Sequence, residues 1–202
     1  MSGPFDVVRE SIAAQLELYR RQFEKIKREV TELAAGMSDA QFNWRPPAGG
    51  WSVGECLSHL NITNAQYLAP LDDAIAEARA QKRLGRGPFK HGMLGKYFIK
   101  FMEPPPRWRL RSPRKLAPER KAHRVAVVVP TFLTFQDQLI ERVVAANGVD
   151  LWRAKVTSQA SRLIRFSLGE TYAILAAHER RHLWQASQVV KAPGFPADHG
   201  KD

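Results

Sequence analysis

The sequence predicts an all-α fold, an antiparallel four-helix bundle with a long basic, Pro-rich excursion between the second and third main helices. Three observations predict it. Apolar residues recur at helical spacing in four separate stretches, capping and stopping residues bracket those stretches, and no strong strand array precedes the last of them. With 202 residues and 44% apolar content, the chain is expected to fold as a single domain over residues 1–202.

The first helix is read from Pro4 to about Gly36, where Val8, Ile12, Leu16, Tyr19, Phe23, Ile26, Val30 and Leu33 recur at steps of three or four. Arg20, Arg21, Lys25 and Lys27 fall between the stripe positions, and Gly36 is placed to end the helix. A connector with two tryptophans follows, from Asn43 to Trp51, too rich in Pro and Gly for regular structure throughout. Ser52 offers an N-cap and Glu55 the capping-box partner, so a second helix should run to about Gln81, with Pro70 as a kink or local irregularity. Residues 84–129 read as the excursion; Met93 to Phe101 is its best helical piece, and Val125 to Val129 is too short to classify by periodicity. Phe132, Phe135, Leu139 and Val143 mark a third main helix from about Pro130, stopped by Asn147-Gly148. Ser167 or Thr171 starts the fourth, which reaches about Lys191; residues 192–202 are expected to form a flexible tail.

The net charge of +11 is not evenly spread. Residues 82–124 hold 14 Lys and Arg against Glu103 and Glu119, a balance of +12, so the rest of the chain carries −1. Nucleic-acid binding through this segment, where Arg107, Arg109, Arg111, Arg114 and Lys115 surround Trp108, is possible but not favoured over a basic loop packed on the bundle. Cys56 is the single cysteine, which excludes a disulfide within the chain and chemistry by a cysteine pair. No stretch approaches the roughly 18 apolar residues of a membrane span, so a cytoplasmic protein without a membrane partner is expected.

At 100° per residue, His178 and His182 share one face of the fourth helix with Thr171, Ile174, Leu175, Gln185 and Val189, with Arg181 at its edge. Histidines at i and i+4 stack on adjacent turns, so they can converge on one metal ion. The face around His59 on the second helix carries Glu55, Cys56, Ile62, Thr63 and Gln66. Burying so many polar groups requires partners or a ligand, so this arc lines a polar cavity or else faces solvent. His178-Glu179-Arg180-Arg181-His182 also spells the H-E-x-x-H of zinc hydrolases. That reading is disfavoured, because Gln185 and Gln188 occupy the places where the extended motif needs glycine and histidine.

Trp44-Arg45-Pro46, the run from Gly50 to Leu60 and the run from His178 to Gln185 resemble the DinB-like superfamily of metalloenzymes. The resemblance implies a four-helix bundle that holds one divalent metal ion, zinc or nickel most often, through His59, His178 and His182. It implies as well a small-molecule substrate and, in some members, a low-molecular-weight thiol as cosubstrate. Three neutral imidazoles would leave the ion an open position, where a thiol or water becomes a nucleophile near neutral pH. Glu55 and Glu179 are the candidate acid/base groups, and Thr63, Gln66 and Gln185 are candidates to contact a cofactor. Glu55, however, is equally placed to serve only its helix cap, and Glu179 points about 100° away from His178. Cys56 as a ligand is disfavoured against a small buried hydrophobe. His91, His123 and His199 are expected to face solvent. Trp184, opposite the histidines on its helix, suits a homodimer contact.

Overall fold

The computed structural model describes residues 13–105, 112–118 and 120–197, and the chain is mostly helical. The first long helix, α1, spans Ala14–Ala34 and buries Leu16, Tyr19, Phe23, Ile26 and Val30, which are members of the predicted stripe. At its end Ala34 takes the buried place that Leu33 was expected to fill, and Gly36 adopts φ 71° just beyond it. That left-handed conformation suits glycine and ends the helix. Val8 and Ile12 lie outside the described residues.

A one-turn helix, α2 (Asp39–Asn43), is capped by Ser38 with Gln41 in reciprocal hydrogen bonds. The long α3 (Val53–Ala80) starts from the predicted box of Ser52 and Glu55 and continues through Pro70. After α4 (Met93–Met102) and a single 3-10 turn at Arg114–Leu116 comes α5 (Val125–Ala145). Here the structure corrects two expectations: the run Val125–Val129 is the opening of α5, and the excursion therefore ends before Val125. Pro130 sits within α5 on an exposed position, so its missing N–H breaks the ladder only on the solvent side. A two-stranded antiparallel hairpin then forms, β1 (Lys155–Thr157) with β2 (Arg165–Ser167). Strands of three residues carry too little alternation to be read from sequence. Ser167 caps α6 (Leu168–Val190) with Glu170, which decides between the two starts considered above.

Packing follows the apolar faces. α3 and α1 each contact both α5 and α6, α4 lies on α6, and the hairpin rests on α3 and α6. Core residues of the four long helices form one contiguous cluster that includes Phe23, Leu60, Phe132 and Tyr172, each fully buried. Burying each such side chain is worth roughly 1.5–3 kcal/mol, so this cluster is what fixes α3 against α6.

The residues between α3 and the end of α4 are attached to that core. Gln15 brackets the backbone of Phe89 with two hydrogen bonds, Leu84 bridges to Val149, and Arg180 pairs with Glu103. α4 approaches α6 so closely that a Cβ at Gly95 would come within 2.2 Å of the Glu170 carboxylate, so only glycine is accommodated there.

Candidate metal centre

α3 contributes His59 and α6 contributes His178 and His182, from two stretches of chain more than a hundred residues apart. One ring nitrogen from each lies within 4.8 Å of those of the other two. Ring centroids are 5.0 Å apart for His59 and His178, 4.5 Å for His59 and His182, and 4.6 Å for the α6 pair. The Nε2 atoms of His59 and His178 stand 3.1 Å apart. Two nitrogens bound to one ion at about 2.0–2.1 Å and a tetrahedral angle are roughly 3.3–3.4 Å apart, so this spacing already approaches that of a shared ligand pair.

The surroundings orient the rings. His59 Nδ1 donates to the carbonyl of Leu116 at 2.7 Å, which places the proton on Nδ1 and leaves Nε2 with its lone pair toward the other two histidines. Trp51 packs against His59 at 5.0 Å and stacks on His182 at 5.5 Å. His59 and His182 are buried, and His178 is half-buried. Nδ1 of His178 and of His182 has no hydrogen-bond partner among the described residues.

All three imidazoles are held neutral. Burial lowers the pKa of His59, against a smaller opposing effect of the Leu116 carbonyl. Burial, reinforced by His59 and Arg181, brings His178 down to about 3. His182 falls well below its ordinary value through burial and the charges of His178, His59 and Arg181, with Gln185 opposing. A cluster that rejects protons yet turns nitrogen lone pairs to one point meets the requirement for binding a divalent cation, which needs unprotonated imidazole. No carboxylate or thiol joins the group among the described residues.

With this geometry in place, comparison with known families is decisive. A model of the DinB superfamily matches residues 22–186. The chain belongs to the DinB superfamily. No curated protein and no solved structure matches it. The match covers both helices that carry the histidines and the residues between them in this DinB chain.

The other residues singled out from the sequence of this DinB chain take varied places. The Glu55 carboxylate receives Ser52 N and a two-pronged contact from Arg45, at 2.9 and 2.7 Å, so both oxygens are engaged away from the histidines. Thr63 donates to the His59 carbonyl at 2.9 Å, and Gln66 donates to the Lys115 carbonyl at 3.2 Å, which pins the turn that carries Leu116. Gln185 borders His182. Glu179 is completely buried on a different side of α6, where Oε1 accepts from Asn64 of α3 and Gln136 of α5, each at 2.7 Å. Burial raises its pKa to about 7, although both amides oppose the shift. Cys56 is buried and its thiol pKa is pushed up by burial and by Glu55, the behaviour of a packing residue rather than a thiolate.

Two histidines expected in solvent are not there. His123 is buried, with its backbone clasped by the Asn43 side chain, and His91 is half-buried, 2.9 Å from the Tyr19 hydroxyl. Composition of a loop says little about which of its residues the bundle will cover. His199 and the cluster Arg107, Trp108, Arg109 and Arg111 lie outside the described residues. Trp184 is 36% exposed. Sequence reasoning placed Arg181 at the edge of the histidine face and missed two contributors to the site, the Trp51 ring and the Leu116 carbonyl. Trp51 stood within a recognised motif, but a main-chain carbonyl from a loop leaves no signal in residue type.

Proposed function

We propose that this protein is a metal-dependent enzyme in which His59, His178 and His182 hold one divalent ion, zinc or nickel, in an antiparallel four-helix bundle. The single observation that carries the reading is the convergence of three neutral imidazoles from α3 and α6 within 4.8 Å, with no fourth protein ligand among the described residues. Protein ligands numbering three and an open fourth place are the pattern of catalytic rather than structural zinc. When bound, the ion would supply Lewis acidity, drawing a thiol or water toward its nucleophilic form near neutral pH.

The chain's own residues supply the rest. Leu116 fixes the tautomer and orientation of His59, Trp51 closes the cluster on the side of His59 and His182, and the partly exposed His178 marks where a substrate enters. Arg181 places a fixed positive charge near the cluster, favouring an anionic thiol or a substrate with developing negative charge. Glu179 is turned into the α3–α5–α6 core, and Glu55 is occupied by its cap and Arg45. Among the described residues no carboxylate is therefore poised as general base, which favours a nucleophile that ionises through its environment, a low-molecular-weight thiol ahead of water, attacking a small electrophile.

The test is to incubate zinc- or nickel-loaded protein with a panel of small thiols and a small alkyl or aryl halide, following the thioether product by mass spectrometry. Turnover above the metal-free and His182→Ala controls is expected. Equal rates in loaded wild type and in His182→Ala would overturn the proposal.

A further inference from the structure

α4 has three faces. Gly95, Phe98, Ile99 and Met102 turn toward α6 and the hairpin, with Phe98 edge-on to Phe166 at 5.2 Å. Opposite them Met93 is 90% exposed, Leu94 54% and Tyr97 66%, and Tyr97 stacks on Phe101 with ring centroids 6.1 Å apart. Along one edge of that apolar strip stand Lys96 and Lys100, both exposed. A large apolar strip beside lysines on a helix already anchored by its other face is the arrangement of an interfacial helix.

A second observation lies beside the first. Arg83, Arg153, Lys155 and Arg165 surround an open cavity of about 530 Å³ with Trp152, against the single acid Glu77. Arg153 has a long contact to Asp150 at 3.8 Å, and Lys155 Nζ rests 4.2 Å over the Trp152 ring. Among the described residues neither Arg83 nor Arg165 has a carboxylate within ion-pair distance. The cavity borders α4, because a Cβ at Gly92, the residue before Met93, would lie 3.0 Å from the Trp152 indole, and Arg165 adjoins Phe166 under Phe98.

We propose that α4 and this cationic cavity form one docking surface for an anionic lipid bilayer, with Met93, Leu94 and Tyr97 at the acyl boundary, Lys96 and Lys100 among the headgroups, and a headgroup phosphate in the cavity. Charge complementarity selects this occupant. The surface presents Lys96, Lys100, Arg83, Arg153, Lys155 and Arg165, with Glu77 the single acid lining the cavity, so positive charge dominates the face it turns to its partner. A second copy of the chain brought face to face would set these lysines against their own equivalents. A nucleic acid would satisfy the cavity but leave three large apolar side chains in water. No helix among the described residues is long and apolar enough to cross a membrane, and a peripheral contact requires none. The proposal is independent of the metal centre, since it uses residues that do not touch the histidines.

The experiment is co-sedimentation of the full chain with phosphatidylcholine vesicles containing or lacking phosphatidylglycerol, at about 0.1 M salt, where surface attraction still acts over roughly 10 Å. Wild type is compared with Leu94→Glu/Tyr97→Glu and with Arg153→Glu/Arg165→Glu, all at exposed positions, with unchanged thermal melting as the check on folding. Binding at least tenfold tighter to the anionic vesicles is expected, with a loss of tenfold or more in each variant. Equal binding to both vesicle types, or none to either, overturns it. So does an apolar double variant that binds anionic vesicles like wild type, which would reveal a phosphate or nucleic-acid site. A wild-type dimer that Leu94→Glu/Tyr97→Glu converts to monomer by light scattering, with vesicle binding unaltered, would assign the strip to a second copy instead.

Discussion

α6 carries two buried polar groups of opposite design, one residue apart. On one side His178 and His182 turn their ring nitrogens toward His59, where no carboxylate joins the cluster among the described residues. On another side Glu179 meets the amides of Asn64 and Gln136, two short hydrogen bonds that tie α3, α5 and α6 together. The first is a set of nitrogen donors that could hold an ion; the second is an internal cross-link. The residues spell H-E-x-x-H, yet Glu179 is held in the core by Asn64 and Gln136 and does not join the histidine group.

This contrast can be broken by substitution. The largest effect is expected for His178→Ala, which removes one of three ligands. Titration calorimetry with zinc should show a dissociation constant weakened by orders of magnitude while the melting temperature of the metal-free protein hardly falls. Glu179→Ala should do the reverse. Leaving two buried amides without their acceptor costs about 1–3 kcal/mol each, and the cavity adds to that, for a total of about 3–5 kcal/mol. In a chain of this size that lowers the melting temperature by roughly 6–20 °C, while the folded fraction still takes up metal.

A smaller effect separates the two faces by pH. In metal-free protein the folded state keeps His178 unprotonated down to about 3, against an ordinary 6.5 in the unfolded chain. Stability from this group is thus complete above about 6.5 and is lost as pH falls toward 3. Glu179 acts in the opposite sense, for its folded pKa is raised from 4.5 to about 7. Its contribution is complete below about 4.5 and is lost as pH rises toward 7. Urea midpoints measured from pH 4 to pH 8 should therefore rise more steeply with pH in Glu179→Gln than in wild type, and less steeply in His178→Phe. Parallel profiles in all three proteins would show that neither group is linked to folding. The smallest effect is expected for Gln66→Ala, which frees the turn behind Leu116. Zinc affinity should fall by up to about tenfold, at the low end of what supporting contacts to metal ligands contribute, with stability changed by under about 1 kcal/mol.

How far the sequence could be read follows from the range of the interactions involved. The stripe from Leu16 to Val30, the box of Ser52 and Glu55 and the cap at Ser167 are local patterns, so the end of α1 and both ends of α3 and α6 were legible within a residue or two, while the start read at Pro4 lies outside the described residues. The opening of α5 was not, because Val125–Val129 is apolar on every side and Pro130 imitates a boundary. The hairpin was invisible at three residues per strand. At the site, the stacking of His178 over His182 is a property of one helix and could be derived. His59 could only be placed beside them through resemblance to the DinB superfamily, since its approach depends on how α3 packs against α6. The Leu116 carbonyl and the burial of His123 depend on where the excursion settles, which composition does not encode.

The account rests most directly on metal content. Wild type and His59→Ala, each loaded with zinc, desalted and measured by elemental analysis, should retain about one ion per chain and essentially none, respectively. Retention of equal zinc by both proteins, or of none by wild type, would contradict the claim that the three histidines make one site.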